Sequence, residues 1–284
     1  MRRTLVTVAI TAGALVAFAA NSVLCRLALG TRAIDAGAFT LVRLAVGALV
    51  LWLLRAGSRS PAAPGRDRLA PFLLFAYAAA FSFAYRSLTA GTGALILFGA
   101  VQMTMFIAAS RTVERPGRGQ IGGVLVALGG LVYLVSPGLS APPAVGSALM
   151  ATAGVAWGFY SLRGRRSRDP LADTAFNFAG ALPYAAVVAA VGFRGLHLTM
   201  AGVVWAALSG GIASGLGYVT WYAALRRLDT VRAATVQLAV PVIAAAGGVL
   251  CLGERVSTRL LLAAVMILGG IGITFVVRTR PGRA

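Results

Sequence analysis

The chain has 284 residues, of which 59% are hydrophobic and 12% charged, and its formal net charge is +19 at pH 7. Soluble domains carry about twice that charged fraction, which excludes a soluble fold. The basic residues are all arginine and lie in short segments beside apolar runs, where they orient membrane helices, so they argue against a nucleic-acid partner. We predict an all-α integral membrane protein embedded in the lipid bilayer.

Ten apolar runs of about 20 residues, the length that crosses a bilayer, predict ten transmembrane helices with short loops between them. They cover Leu5–Leu24, Ala36–Leu54, Leu69–Leu88, Gly91–Ser110, Gln120–Val135, Val145–Leu162, Leu171–Val191, Gly202–Leu225, Ala233–Leu252 and Arg259–Val277. The first run follows Met1-Arg2-Arg3 and contains Ala17-Phe18-Ala19, which imitates a secretory signal. Because Trp157–Ser161 repeats that region, we expect the first helix to belong to the fold.

Arginine placement predicts the topology, since cytoplasmic loops are enriched in positive charge. If ten helices start from a cytoplasmic N-terminus, 19 of the 26 arginines fall in cytoplasmic segments, and both termini are cytoplasmic. These are Arg2, Arg3, Arg55, Arg59, Arg66, Arg68, Arg111, Arg115, Arg118, Arg163, Arg165, Arg166, Arg168, Arg226, Arg227, Arg232, Arg278, Arg280 and Arg283. The other seven are external or in the outer half of the membrane: Arg26, Arg32, Arg43, Arg86, Arg194, Arg255 and Arg259.

An internal repeat divides the chain into residues 1–140 and 141–284. The apolar run Ala233–Arg255 resembles Gly93–Arg115, which lies 140 residues earlier, and both runs end in Glu-Arg. A repeat at one fixed offset indicates a duplicated unit. Five helices in each copy is an odd number, so the second copy enters the membrane from the opposite side. Inverted repeats of this kind build alternating-access transporters with a substrate site near the midplane, although a non-transporting scaffold is an alternative.

Small residues predict close helix packing. Gly211 and Gly215 form a small-xxx-small pair, and Gly269, Gly270 and Gly272 cluster in the last helix. The two cysteines, Cys25 and Cys251, are too few for a disulfide framework or a metal site. We expect both of them to be buried as small apolar residues. The sequence indicates no cofactor.

Several motifs carry a likeness to a known family. They are Trp157-Gly158-Phe159-Tyr160, Arg43 in the second helix, Gly217-Tyr218 with Trp221-Tyr222, Pro241, and the pairs Glu114-Arg115 and Glu254-Arg255. Together with the two five-helix copies, they resemble the EamA-type carriers of the drug/metabolite transporter superfamily over nearly the whole chain. The resemblance implies a metabolite exporter, most similar to bacterial amino-acid exporters of the YddG kind. The chain departs from the family at Val101, where proline is usual, and at Ala17, where tryptophan is frequent.

Acidic residues are placed away from the predicted membrane interior. All seven fall at helix ends or in loops, and they are Asp35, Asp67, Glu114, Asp169, Asp173, Asp229 and Glu254. The one histidine, His197, lies in an external loop. Proton-coupled carriers keep ionisable acids or histidines inside the membrane, so substrate-driven, uncoupled transport or coupling by an atypical route is favoured. The same absence argues against a membrane hydrolase.

Arg43 is the charge that most needs an explanation, because a charge inside the membrane costs about 2.5–3.5 kcal/mol on insertion scales. It can contact a substrate carboxylate, extend outward to the membrane surface, or hold carbonyls at neighbouring helix ends. Aromatic residues at helical spacing form faces on three helices, and these faces line a cavity or pack against lipid and core. The candidate cavity residues among them are Tyr77, Phe81, Trp157, Tyr160, Tyr218 and Trp221.

Mid-membrane amides complete the predicted site, since a buried amide without a partner is costly. Gln102 is the preferred substrate contact, with Gln237 and Asn21, while interhelical hydrogen bonding is the alternative role of such groups. Pro183 and Pro241 each remove a backbone hydrogen bond, which makes them candidate hinges or simple packing kinks.

The sequence therefore predicts an inner-membrane exporter of small metabolites, most of all amino acids, that works by alternating access. The expected partners are this small-molecule substrate and the bilayer, with the chain a monomer or a weak homo-oligomer. A proton-coupled exporter of lipophilic cations is the alternative within transport. A membrane enzyme or a non-transporting scaffold is the alternative of another class.

Overall fold

A computed structural model describes residues 2–57, 67–110, 117–138, 141–164, 167–192, 196–228 and 236–276. Some features of the sequence analysis lie outside these residues. They are Glu114-Arg115, Asp229, Arg194 and ten of the arginines assigned to the cytoplasm, namely Arg59, Arg66, Arg111, Arg115, Arg165, Arg166, Arg232, Arg278, Arg280 and Arg283.

The described residues form a helical bundle. Its helices are α1 (Arg2–Gly30), α2 (Ala36–Ala56), α3 (Leu69–Ala84), α4 (Ala90–Ser110), α5 (Arg118–Val135), α6 (Ala144–Gly164), α7 (Pro170–Val191), α8 (Met200–Leu225), α9 (Ala239–Leu252) and α10 (Thr258–Val276). Seven of them, α1, α2 and α4 to α8, are long and apolar enough to cross a membrane. The apolar parts of α3, α9 and α10 are shorter.

Most predicted helix boundaries lie within a few residues of these bounds, and three differ for physical reasons. α1 continues to Gly30, because its last turns bury Cys25 and Leu29. α3 ends at Ala84, where the chain turns. α9 begins at Ala239. Pro241 has no N–H to donate to the carbonyl four residues earlier, and the helix is interrupted at residue 238.

Acidic side chains cap the N-termini of several helices. The Asp35 carboxylate accepts a hydrogen bond from the Ala38 N–H at the start of α2, and Asp169 accepts one from the Ala172 N–H at the start of α7. A carboxylate is stabilised at a helix N-terminus by the unpaired N–H groups and the helix dipole. Asp67, Asp173 and Glu254 also lie at helix ends, so the predicted placement of acids is confirmed for the described ones.

The connections between helices meet at two opposite ends of the bundle. At the end that we call the Glu254 end, Arg26 pairs with Glu254, and the Asp35 N–H donates to the His197 carbonyl. Together with a hydrogen bond from Arg26 to the Tyr85 carbonyl after α3, these contacts gather the connections α1–α2, α3–α4, α7–α8 and α9–α10. At the other end, which we call the Asp67 end, Arg163 at the end of α6 pairs with Asp67 before α3.

The helix contacts of the described bundle repeat when each helix is replaced by the one five places away in the chain. α2 packs on α7, and α5 packs on α10. α3 packs on α6 in the way that α8 packs on α1, and α4 packs on α6 in the way that α9 packs on α1. Replacing each helix by the one five places away in the chain therefore leaves the α2–α7 and α5–α10 contacts in place and interchanges the contacts of α3 and α4 on α6 with those of α8 and α9 on α1.

Glycine allows the closest of these contacts, as predicted, but not at every position. A Cβ on Gly270 would lie 2.6 Å from the backbone oxygen of Gly123, so these residues set the distance between α5 and α10. In contrast, a Cβ on Gly269 or Gly272 would meet nothing within 4 Å, and the packing role expected for these two is wrong. The prediction for Cys251 is also wrong, because this side chain is exposed, whereas Cys25 is buried.

Candidate functional site

A cavity of about 400 Å³ lies between α4, α6, α8 and the residues before α9, and we call it the aromatic cavity. It reaches from Trp157 and Tyr218 inside the bundle to Ser167 and Arg226 at the Asp67 end. Its lining contains five of the predicted site residues: Gln102, Trp157, Tyr218, Trp221 and Gln237. The other described lining residues are Met105, Ser161, Gly164, Ser167, Pro170, Tyr222, Leu225, Arg226 and Leu228.

Aromatic rings build the inner wall of this cavity. The ring centroids of Trp157 and Tyr218 are 5.0 Å apart, and Phe18 contacts both rings and also that of Trp221. Such ring pairs gain about 0.5–1.5 kcal/mol beyond the burial of their area, so the wall is well packed. The π faces offer contact to an apolar body and attraction to an ammonium group.

Two buried polar atoms in the lining have no hydrogen-bond partner among the described residues. They are Gln102 Nε2 and Tyr218 Oη, and each side chain is only 4% exposed. A buried polar group without a partner is destabilising, so most such groups in folded proteins are paired. Both side chains line the aromatic cavity, so a small side-chain movement would bring an unused hydrogen-bonding atom to a polar ligand. Arg226 gives its outer part positive charge, and none of its described lining residues is acidic.

A second, much smaller space lies deeper in the bundle, and we call it the inner chamber. Its volume is about 20 Å³, and its lining residues are Phe18, Asn21, Tyr77, Phe81, Leu97, Phe98, Trp157, Ala213 and Tyr218. Trp157 and Tyr218 line both spaces, so their rings form the partition between the aromatic cavity and the inner chamber.

Arg43 lies beside the inner chamber and is 1% exposed, which rules out the predicted outward extension of its side chain. Its Nε donates to Ser214 Oγ at 3.2 Å, and its Nη2 donates to Tyr77 Oη at 3.1 Å. The guanidinium carbon is 5.2 Å from the ring centroid of Tyr77 and 5.1 Å from that of Phe81. Cation–π attraction of this kind offsets part of the cost of burying the charge.

Asn21 extends this polar network to α1. Its amide nitrogen donates to Tyr77 Oη at 3.3 Å, and its carbonyl oxygen accepts from Ser209 Oγ at 2.6 Å. Ser209 and Ser214 belong to a π-helical segment of α8, Ser209–Leu216. π-helical segments are frequent at functional sites.

The sequence analysis missed both serines, although the run Ser209–Gly215 carries a signal in its three glycines. A Cβ on Gly210 would collide with the Arg43 carbonyl oxygen, so glycine lets α8 approach α2 at this level. The close approach brings Ser214 within hydrogen-bond distance of Arg43.

The remaining predicted residues, Tyr160, Pro183 and Pro241, line neither of the two spaces. Tyr160 is buried, accepts a hydrogen bond from Asn177 at 3.4 Å, and packs its ring 5.4 Å from that of Trp157. Pro183 is inside α7, which continues through it. Pro241 is in the first turn of α9, next to the interruption that leaves Gln237 at the cavity.

A third cavity, of about 560 Å³, lies at the Glu254 end. Its charged and titratable lining residues are Arg32, Asp35, Arg86 and His197. Of these three spaces among the described residues, the aromatic cavity and the third cavity lie towards opposite ends of the bundle, and the inner chamber lies between aromatic side chains in its interior.

This helical bundle, with seven apolar helices long enough to cross a membrane among the described residues, defines a multi-pass membrane protein. Residues 144–276 match the EamA-like transporter family. The chain is 50% identical over 284 residues to Uncharacterized protein PA1977 of Pseudomonas aeruginosa, covering 100% of this chain and 97% of that protein. A solved crystal structure with 20% identity superimposes with a TM-score of 0.64 over 93% of this chain and 96% of its own, which shows a shared fold. Residues 144–276, nearly half of the chain, therefore belong to the EamA-like transporter family, whose members are membrane transporters of small molecules.

Proposed function

We propose that the protein exports small metabolites, most of all amino acids, across the bacterial inner membrane, with the aromatic cavity as its substrate site. The observation that carries this proposal is a pair of buried atoms without partners among the described residues, Gln102 Nε2 and Tyr218 Oη, on side chains that line a cavity walled by aromatic rings. The carboxylate of an amino acid can accept hydrogen bonds from such donors, and its ammonium group is attracted to ring faces. An apolar amino-acid side chain fits the aromatic walls.

The exchange pattern of the helix contacts supports two structurally equivalent halves, residues 1–140 and 141–284. With five helices in each half, the halves cross the membrane in opposite senses. Carriers built in this way hold their substrate between the halves and open to one side at a time. The aromatic cavity receives Gln102 from the first half and Trp157 and Tyr218 from the second.

The Asp67 end is the cytoplasmic end in this proposal, because most arginines of the sequence flank the connections at that end. Both termini are then cytoplasmic. The aromatic cavity extends to this end, so the conformation described here corresponds to a carrier that receives its substrate from the cytoplasm.

Reconstituted transport tests the proposal. Purified protein in liposomes should exchange labelled amino acids, and the flux should be the same with and without an imposed pH gradient. Flux that appears only with the gradient would replace uncoupled transport by proton coupling. Efflux of a lipophilic cation such as ethidium without any amino-acid flux would favour the multidrug alternative, which the ring faces also suit. A complete lack of flux would favour a scaffold or an enzyme.

A further inference from the structure

Arg43 is a buried cation with only neutral partners among the described residues. Ser214 and Tyr77 accept its hydrogen bonds, and no described carboxylate lies within 4.0 Å of it. Its third nitrogen, Nη1, is buried and has no hydrogen-bond partner in the part of the chain that the structure describes. A buried charge normally needs an opposite charge, because desolvation costs several kcal/mol per ion. The energetics therefore favour an anion beside this guanidinium.

The inner chamber is the space next to this charge. Tyr77 and Phe81, whose rings face the guanidinium, also line the chamber, and Asn21 adds an amide group. Its volume of about 20 Å³ is enough for one water molecule and too small for a carboxylate. The chamber must therefore expand to receive an anionic group from the aromatic cavity. The rings of Trp157 and Tyr218 stand between the two spaces.

We propose that Arg43, Tyr77 and Asn21 form a carboxylate subsite that the substrate reaches when the Trp157 and Tyr218 rings move aside. This inference rests on the proposed transport function and narrows it to substrates with a free carboxylate. The substrate keeps its apolar part among the rings of the aromatic cavity while its carboxylate enters the inner chamber. The subsite is closed in the present conformation, so it is filled during transport and not on first contact with the cavity.

A structural role is the competing explanation, because Arg43 connects α2 to α3 through Tyr77 and to α8 through Ser214. The two roles differ in what they do to substrates of different charge. Loss of a structural contact lowers transport of all substrates together. Loss of a carboxylate partner lowers transport of acids and spares analogues in which the carboxylate has become an amide.

The experiment compares labelled phenylalanine with labelled phenylalaninamide in proteoliposomes that contain wild type or Arg43→Gln. Glutamine keeps hydrogen-bond donors for Ser214 and Tyr77 and removes the charge. Hydrogen bonds to charged groups contribute about 1.5–3 kcal/mol, so the exchange flux of phenylalanine relative to the amide should fall about tenfold to a hundredfold. An unchanged ratio, whether both fluxes fall or neither does, overturns the subsite.

Thr40→Val is the matched control, because Thr40 is also buried in α2 and its hydroxyl bonds only to the Ala36 carbonyl of its own helix. Both fluxes should stay at the wild-type level in this variant. If wild type transports neither compound, the proposed function fails, and the subsite is then tested by thermal stability. Phenylalanine should raise the Tm of wild type but not of Arg43→Gln, and no rise in wild type contradicts the subsite.

Discussion

Arg26 and Glu254 form an ion pair across the two halves of the chain, with 3.0 Å between Nε and Oε1. The second carboxylate oxygen of Glu254 accepts a hydrogen bond from the Ala90 N–H at 2.8 Å, at the first turn of α4. Arg26 also donates to the Tyr85 carbonyl. Two charged side chains thereby hold α1, α4 and the end of α9 together at the Glu254 end. The same two residue types recur 140 residues away in sequence, at Arg166 and Glu114, which lie outside the described residues.

Replacing Glu254 by alanine should therefore destabilise the protein. The change removes the ion pair and leaves the Ala90 N–H and the Arg26 guanidinium without their acceptor, which we expect to cost about 1–3 kcal/mol. Glutamine keeps an acceptor for the N–H and should cost less. Thermal unfolding in detergent measures the difference. Equal Tm values for wild type and Glu254→Ala would show that the pair contributes nothing to stability.

Gln102 should matter for transport more than for folding. Its Nε2 has no partner among the described residues, so Gln102→Leu removes an unsatisfied buried group and should leave Tm nearly unchanged. Loss of one hydrogen bond to substrate should lower the exchange flux about fivefold to tenfold at low substrate concentration. Thr104→Val is the control, because the Thr104 hydroxyl bonds to the Ala100 carbonyl of the same helix. Full flux in Gln102→Leu would remove Gln102 from the site.

Alanine substitutions along α10 should separate packed glycines from exposed ones. In Gly270→Ala the new methyl group would lie 2.6 Å from the Ala127 nitrogen of α5, so the two helices must move apart at a cost of about 1–3 kcal/mol. Gly269→Ala and Gly272→Ala face open space and should be neutral or slightly stabilising. The Tm of the three variants checks this, and equal effects at all three positions would contradict the described α5–α10 contact.

The Asp67–Arg163 pair should give a small stabilisation that depends on pH. Partial desolvation raises the pKa of Asp67, but the hydrogen bonds from Arg163 and the Leu69 N–H outweigh it and lower that pKa below its ordinary value. A lowered folded-state pKa stabilises the fold above the unfolded-state value of about 4 and loses this effect as pH falls through the folded-state value. Both side chains are more than a third exposed, so the pair contributes at most about 1 kcal/mol.

The measurement compares the Tm of wild type and Asp67→Asn in detergent at pH 7 and pH 3. The difference should be small at pH 7 and smaller still at pH 3. Arg163→Gln should reproduce the loss at pH 7, and the double variant should lose no more than either single one. A difference that grows on acidification would contradict the assigned sign.

The apolar pattern of the sequence predicted ten helices at nearly the observed positions, since membrane-length apolar runs and Arg-rich connections are local properties. The places where prediction failed depend on contacts between helices. α1 is longer than predicted because neighbouring helices bury its last turns. Gly270 lies on the face of α10 that contacts α5, whereas Gly269 faces open space. Neither property can be read from hydropathy.

The candidate site divides in the same way. The sequence selected Gln102, Trp157 and Tyr218 because polar and aromatic residues in mid-helix are costly to leave without a role. It did not predict that Arg43 would be buried beside Tyr77. Nor did it predict that a π-helical segment would bring Ser209 and Ser214 into the hydrogen-bond network of Asn21 and Arg43.

By itself, the sequence determined that this is a membrane protein and where its helices begin and end. The reason is that the bilayer requires each spanning segment, independently of the others, to be long and apolar enough to cross it. Only the tertiary structure decided which polar groups share a cavity and which remain unpaired. That outcome depends on distances of a few ångströms between helices far apart in the chain, and these distances are set by small residues whose packing partners no local pattern reveals.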